Sequence, residues 1–152
     1  MAVDWFKSVD TGFAELLGEK DFLTDPIAIA LIDHAAAATL AARGTVTYGD
    51  IKGEDGVNVA AAVAINTPAV TVVSNRARFS HAKATFTASG SLTGRFAVYI
   101  SGTHSSLADA DNVFGYVDLN TGAANLSSVD AEFSFTPHAD GLFEVPRTVD
   151  GT

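Results

Sequence analysis

The chain has 152 residues, of which 47% are apolar, and its 18 acidic residues outnumber 9 basic ones to leave a net charge of −9. This length predicts a single domain that can bury a core without the cross-links or metal ions that very small domains need. The absence of cysteine excludes disulfides and thiolate chemistry. The acidic balance argues against binding nucleic acid, because affinity for phosphates comes from clustered Lys and Arg.

The amino terminus lacks the basic start and apolar core of a secretory signal. The longest apolar tract, residues 27–42, is interrupted by Asp33 and His34, so it is not expected to span a bilayer. We therefore expect a soluble protein with no membrane partner.

Residues 4–18 predict a short amphipathic helix. Asp4 is placed to cap it, Gly18 to end it, and Gly12 weakens it by about 1 kcal/mol relative to alanine. The apolar face of this helix consists of Trp5, Val9, Phe13, Leu16 and Leu17.

The next part of the chain shows a series of alternating segments that predict strands. They are residues 27–33, 45–51 (broken at Gly49), 57–65, 69–74, 76–80 and 83–88. The last two are expected to form a pair, with Phe79 and Phe86 pointing inward. The alanine-rich residues 34–43 favour a short helical turn capped by Asp33, with a loop as the alternative. Residues 52–56 predict an exposed polar turn.

Residues 95–101 and 113–119 form the centre of the predicted fold, because both alternate in β-branched and aromatic residues. The polar loop between them, 102–112, is too long for a tight turn and too short for a crossover helix. The two strands are therefore expected to pair directly and antiparallel.

Strands are also predicted at 129–136 and at 142–145, where Pro146 ends the segment. Seven to nine short strands are typical of a mainly β protein, here an antiparallel β-sandwich of the jelly-roll or immunoglobulin-like kind. Each strand is expected to bury one face, with Phe96 and Phe133 in the core. The single domain 1–152 would comprise an N-terminal helix or arm (1–20), the sandwich (21–146) and a loose tail (147–152).

No motif predicts catalysis, a cofactor or a metal site. The four histidines, His34, His81, His104 and His138, lie on four different segments. Residues 109–112 resemble part of a calcium loop but lack its required glycine and glutamate, and the acidic residues within 50–55 are interpreted as a charged turn. No nucleophile elbow or phosphate-binding loop occurs, so the chain is not expected to be an enzyme.

Several motifs follow one another in a defined order along the chain. They are the amphipathic segment 5–17, Ile-Ala-Ile-Ala-Leu-Ile at 27–32, Ala-Thr-Phe-Thr-Ala at 84–88, Arg-Phe-Ala-Val-Tyr-Ile at 95–100, Phe-Gly-Tyr-Val-Asp at 114–118, Ala-Glu-Phe-Ser-Phe at 131–135 and Gly-Leu-Phe-Glu-Val at 141–145. This order resembles a family of small virion structural proteins of tailed bacteriophages, encoded among the head genes. The chain departs from the family pattern in residues 34–43 and in the loop 102–112.

The resemblance implies a capsid decoration, or cement, protein that binds the outside of the major-capsid shell and braces it against the pressure of packaged DNA. It also implies a homotrimer located on the virion exterior, with the major capsid protein as partner. The alternatives are a neck or tail structural subunit, or a carbohydrate- or receptor-binding module that would use Asp109, Asp111, Asn112 and Phe114.

Three N-terminal aromatic residues are candidates for the contact with the shell: Trp5, Phe6 and Phe13. Aromatic side chains are favoured in the centres of protein interfaces. The alternatives are that loops at one end of the sandwich make the contact, and that Trp5 fills a gap beneath the sheet.

Overall fold

A computed structural model describes residues 5–88, 90–121, 125–128, 132–138 and 140–146. Within these ranges the protein is mainly β, as predicted, and every strand pair is antiparallel. The helices are α1 (Asp10–Gly18), α2 (Ala37–Ala41) and α3 (Tyr48–Lys52), and a single 3-10 turn (His34–Ala36) precedes α2. The strands are β1 (Lys7–Ser8), β2 (Ile27–Ile32), β3 (Val59–Ala64), β4 (Ala69–Val73), β5 (Arg76–Ser80), β6 (Ala84–Thr87), β7 (Thr93–Gly94), β8 (Phe96–Ser101), β9 (Val113–Asp118), β10 (Leu126–Ser127), β11 (Glu132–Phe135) and β12 (Phe143–Pro146).

The centre of the protein is a five-stranded sheet in the order β1-β9-β8-β2-β3. The predicted central hairpin is confirmed: β8 pairs directly with β9, from Phe96 opposite Asp118 to Ile100 opposite Val113. The connecting loop does not project freely, because it packs on α3. The amide of Gly49 donates to the carbonyl of Asp109 at 2.9 Å, and that of Tyr48 to Asp111 at 2.8 Å.

The three inner strands β2, β8 and β9 are buried on both faces, so the expectation that each strand buries one face is wrong for them. On one side Ile29 and Tyr99 belong to a core that includes Phe86 of β6. On the other side Val98 belongs to a second core that includes Leu40 of α2. The small alanine and valine side chains of these strands allow layers to pack closely on both sides.

Three smaller sheets contain the remaining strands: β10-β7, β11-β6 and β12-β5-β4. Nine of the twelve described strands have four or more residues, which matches the predicted number. The prediction that β5 and β6 pair with each other is wrong, because β5 pairs with β4 and β12, whereas β6 pairs with β11. The predicted tail 147–152 and the first part of the predicted strand 129–136 lie outside the described residues.

The N-terminal helix is shorter than predicted. It starts at Asp10 rather than at residue 4, because the chain before it is extended and Lys7 and Ser8 pair with β9. The predicted cap Asp4 lies outside the described residues, and the helix ends at Gly18 as predicted. Gly12 lets the helix approach β9: a Cβ atom there would lie 1.9 Å from the carbonyl oxygen of Val113.

The predicted helical turn after β2 is confirmed, and the Asp33 carboxylate caps it by accepting from the amide of Ala35 at 2.8 Å. The predicted strand at 45–51 is wrong, because its second half forms α3. A reciprocal capping box starts this helix. The Thr47 hydroxyl accepts from the Asp50 amide at 3.2 Å, and the Asp50 carboxylate accepts from the Thr47 amide at 2.9 Å.

Candidate functional site

Among the described strands, the most exposed apolar one is β4, which forms a hairpin with β5. Ser74 and Asn75 form its two-residue turn with φ values of 49° and 63°, and such left-handed residues match the twist of a hairpin. Val72 is 73% exposed, and Val70 and Val73 are also exposed. The hairpin therefore presents valines to solvent at the edge of its sheet.

Trp5 lies beside this hairpin and is 54% exposed. Its ring centroid lies 4.0 Å from that of His138, which holds the indole in place. Trp5 and Val73 line an open cleft of about 620 Å³ together with Asp140. We call Trp5 and Val73, the two exposed apolar residues that line this cleft, the hairpin surface. Val70 and Val72 are exposed on the opposite face of β4, because neighbouring side chains of a strand alternate.

Ion pairs border the cleft and connect β5 to β12. The Arg78 Nε donates to Glu144 at 2.9 Å, and Arg76 approaches the same carboxylate at 3.3 Å. These two guanidinium groups, that of Arg78 first, hold the pKa of Glu144 below its usual value. The Oδ1 atom of Asp140 lies 3.8 Å from the Nη2 atom of Arg78. The charged groups of the rim are therefore largely paired within the chain, whereas Trp5 and Val73 are exposed to solvent.

The structure separates the three predicted interface aromatics. Trp5 belongs to the hairpin surface, whereas Phe6 and Phe13 pack against the core. Both rings contact Phe143, with centroids 5.1 Å and 5.0 Å away. Gly115 of β9 makes room for the Phe6 ring, because a Cβ atom there would lie 2.2 Å from it. Of the three predicted residues, Trp5 is the one that a partner protein can reach over a large area.

The residues considered for a sugar-binding or calcium loop do not form a shared site. Phe114 is only 1% exposed, so its ring cannot stack on a sugar. Asn112 donates to the Glu15 carboxylate on α1, and Asp109 forms an ion pair with Lys52 at 2.6 Å. Asp111 accepts from the amide of Ala108 at 2.8 Å. Asn112 and Asp109 therefore tie the loop to α1 and α3, and Asp111 bonds within the loop.

Among the described residues, no group of three or more His, Asp or Glu side chains is placed to hold a metal ion. Of the four histidines, His81 is buried, whereas His34, His104 and His138 are exposed and lie on separate segments. The acidic residues of 50–55 have structural roles where contacts are seen, such as the capping by Asp50 and the hydrogen bond that Thr39 donates to Glu54 at 2.6 Å.

Comparisons with protein-family models, with curated proteins and with solved structures found no match to this chain. In the described part of the chain, no helix has both the length and the apolar character needed to cross a membrane.

The sequence analysis missed the hairpin surface, although a signal for it was present. The predicted strands 69–74 and 76–80 leave almost no residues between them, which requires a tight turn, and Asn75 suits a left-handed position. Two consecutive valines before that turn cannot both face the core, since neighbouring side chains of a strand point to opposite faces. That one of these faces meets solvent depends on the packing of the other sheets.

Proposed function

We propose that this chain is a tailed-bacteriophage capsid decoration, or cement, protein that binds the outer surface of the major-capsid shell and stabilises it against internal DNA pressure. The order of its motifs, which resembles that of small head-gene virion proteins, supports the identity of the partner. The hairpin surface is the observation that carries the docking role, because the exposed Val73 lies next to a half-exposed tryptophan on an otherwise acidic protein.

The proposed mechanism is surface complementarity without bond making or breaking. Trp5 inserts into an apolar depression of the shell, and Val73 excludes water beside it. A contact of this size is modest, but copies that assemble as a homotrimer at a three-fold position of the shell engage several equivalent positions at once. Linked contacts then raise the total affinity by orders of magnitude.

The proposed body is a β-sandwich in which the five-stranded sheet is one layer and the small sheets together form the other. The support is the core that lies between them, which joins Ile29 of β2 with Phe86 of β6 and Phe135 of β11. A rigid body of this kind keeps the hairpin surface in a constant orientation on each copy.

The test is binding of the purified chain to shells assembled from the major capsid protein that is encoded with it. Deletion of residues 1–18 would remove the core side chains Phe6, Phe13 and Leu16, so a point substitution is the sharper variant. We expect Trp5→Ala to weaken binding at least about tenfold. The matched control is Leu17→Ala, since Leu17 is 47% exposed but lies on α1 away from the cleft lining, and it should bind like the wild type.

Equal binding by wild type and Trp5→Ala would show that another surface makes the contact. Failure of the wild type to bind any shell would overturn the decoration role. Stoichiometry in the virion separates the neck or tail alternative: hundreds of copies indicate decoration, whereas a single ring of subunits indicates the neck.

A second candidate function, carbohydrate binding, is favoured by the cleft beside Trp5. A tryptophan ring flanked by Asp140 and Arg76 is a combination that can stack on and hydrogen-bond to a sugar. In this form the site differs from the loop predicted by sequence. A glycan array tests it, and loss of any signal in Trp5→Ala would assign that signal to the cleft.

A further inference from the structure

Strand β4 has an open edge. In the described part of the chain it pairs only with β5, and it lies at the end of the order β12-β5-β4. Its sequence, Ala-Val-Thr-Val-Val, contains no charge and no proline. Soluble proteins usually protect an edge strand with charged residues, proline or a bulge, and β4 has none of these within its length.

The hairpin register determines which backbone groups face outward. The turn at Ser74 and Asn75 makes Val73 and Arg76 a hydrogen-bonded pair, and such pairs alternate along an antiparallel ladder. Thr71 therefore bonds to Arg78, whereas the N–H and C=O groups of Val70 and Val72 point away from β5. These are the groups that an added strand would meet.

We propose that β4 pairs with β4 of a second copy of this chain, antiparallel and with the two-fold axis at Thr71. In this register Val70 of each copy lies opposite Val72 of the other, and each such pair exchanges both of its N–H···O bonds. The two Thr71 residues face each other, a favourable pairing across strands. The result is a continuous six-stranded sheet built from the two three-stranded sheets.

The distribution of charge favours a second copy of this chain as the partner that pairs with the β4 edge. The chain carries 18 acidic residues, yet residues 56–108 contain none and include Arg76, Arg78 and Lys83. Two copies with a net charge of −9 each would repel each other over the greater part of their surfaces. At β4 they meet through uncharged strands, and the nearby arginines are already paired with Glu144. The edge is also self-complementary, since one uncharged strand pairs with itself about its central residue.

This contact does not depend on the capsid role, and it is separate from the three-fold contact that the resemblance implies. It can be tested in solution with the full chain. Because the protein has no cysteine, a single introduced thiol reports on one position. A pair of facing residues without mutual hydrogen bonds brings the Cα atoms to about 4.5 Å, within the range for a disulfide.

We expect Thr71→Cys to form a disulfide-linked dimer under mild oxidation at least tenfold faster than His104→Cys, a control in the exposed loop 102–112. Equal rates for the two variants would overturn the proposed register. Denaturing gel electrophoresis without reductant measures the dimer fraction directly.

Sedimentation equilibrium provides an independent measurement without a thiol. The wild type should move toward twice the mass of one chain as its concentration rises. Val72→Lys places like charges at the contact and should remain monomeric, whereas Val72→Thr keeps a β-branched residue and should still dimerise. Circular dichroism checks that both variants are folded. We expect them to fold because the side chain of Val72 is exposed. A monomeric wild type, or association that Val72→Lys leaves unchanged, would overturn the proposal.

Discussion

The hydroxyl of Tyr99 donates a hydrogen bond to Nε2 of His81 at 2.6 Å, inside the core between the sheets. The other ring nitrogen, Nδ1, lies 2.7 Å from the carbonyl oxygen of Ala82. Because a carbonyl only accepts, Nδ1 carries the hydrogen and Nε2 is the acceptor. This buried neutral pair joins β8 of the central sheet to the segment that follows β5.

Burial lowers the pKa of His81 below its usual value of 6.5, since the charged ring is poorly solvated there. Above pH 6.5 the ring is neutral in both states, and this contribution to stability is complete. As the pH falls, the unfolded chain binds the proton first, so the free energy of unfolding decreases until the lower pKa of the folded state is passed. We expect urea denaturation to show this decrease between pH 7 and pH 5.

The variant His81→Gln removes the titrating group and should flatten this pH dependence relative to the wild type, whatever its stability at pH 7. His104→Gln, which changes an exposed histidine, should follow the wild-type curve. Parallel curves for wild type and His81→Gln would contradict the assignment.

Two glycines of α1 should respond in opposite ways to alanine. Helix propensity alone predicts that each Gly→Ala change stabilises by up to about 1 kcal/mol. At Gly12 the new Cβ atom would meet the backbone of Val113, so we expect Gly12→Ala to destabilise by about 1–3 kcal/mol. Gly18 has no atom within 4 Å of that position, and Gly18→Ala should be neutral or stabilising. Thermal denaturation of the two variants measures the contrast, and a more stable Gly12→Ala protein would refute the close approach.

Phe96 and Phe133 differ in burial and should differ in stability on truncation. Phe96 is 2% exposed in the core beneath the helices, whereas Phe133 is only partly buried. We expect Phe96→Ala to lower the free energy of unfolding by about 3–5 kcal/mol. Phe133→Ala should cost less, about 1–3 kcal/mol. Chemical denaturation measures the free energy of unfolding of both variants. A larger decrease for Phe133→Ala than for Phe96→Ala would reverse the placement of the two rings.

The ion pair between Arg95 and Asp118 should matter more than the one between Lys52 and Asp109. Asp118 is buried and receives two hydrogen bonds from the guanidinium group, at 3.0 Å and 2.7 Å. We expect Asp118→Asn to destabilise by about 1.5–3 kcal/mol, with little dependence on salt. Asp109→Asn breaks an exposed pair and should change stability little. Equal effects at high salt would contradict this difference.

Local sequence patterns failed where a backbone contact or a cap overrode the periodicity. Residues 45–51 alternate like a strand, yet Thr47 and Asp50 have the spacing of a capping box, and that pairing starts a helix. The segment before Asp10 has helical spacing of its apolar residues, but Lys7 and Ser8 form a short strand because they pair with the edge of β9. In both places the partner that decides the conformation is a specific hydrogen-bonding group, which periodicity alone does not register.

The amino-acid sequence by itself determined the mainly β class and the direct antiparallel pairing of β8 with β9, because alternation and loop length are local properties. It also identified Trp5 as a candidate contact residue. Only the tertiary structure decided that β2, β8 and β9 are buried on both faces, that Phe6 and Phe13 belong to the core, and that β4 has an open edge. These properties depend on which distant segments lie against a strand, and the same alternating pattern is compatible with covered and with exposed faces.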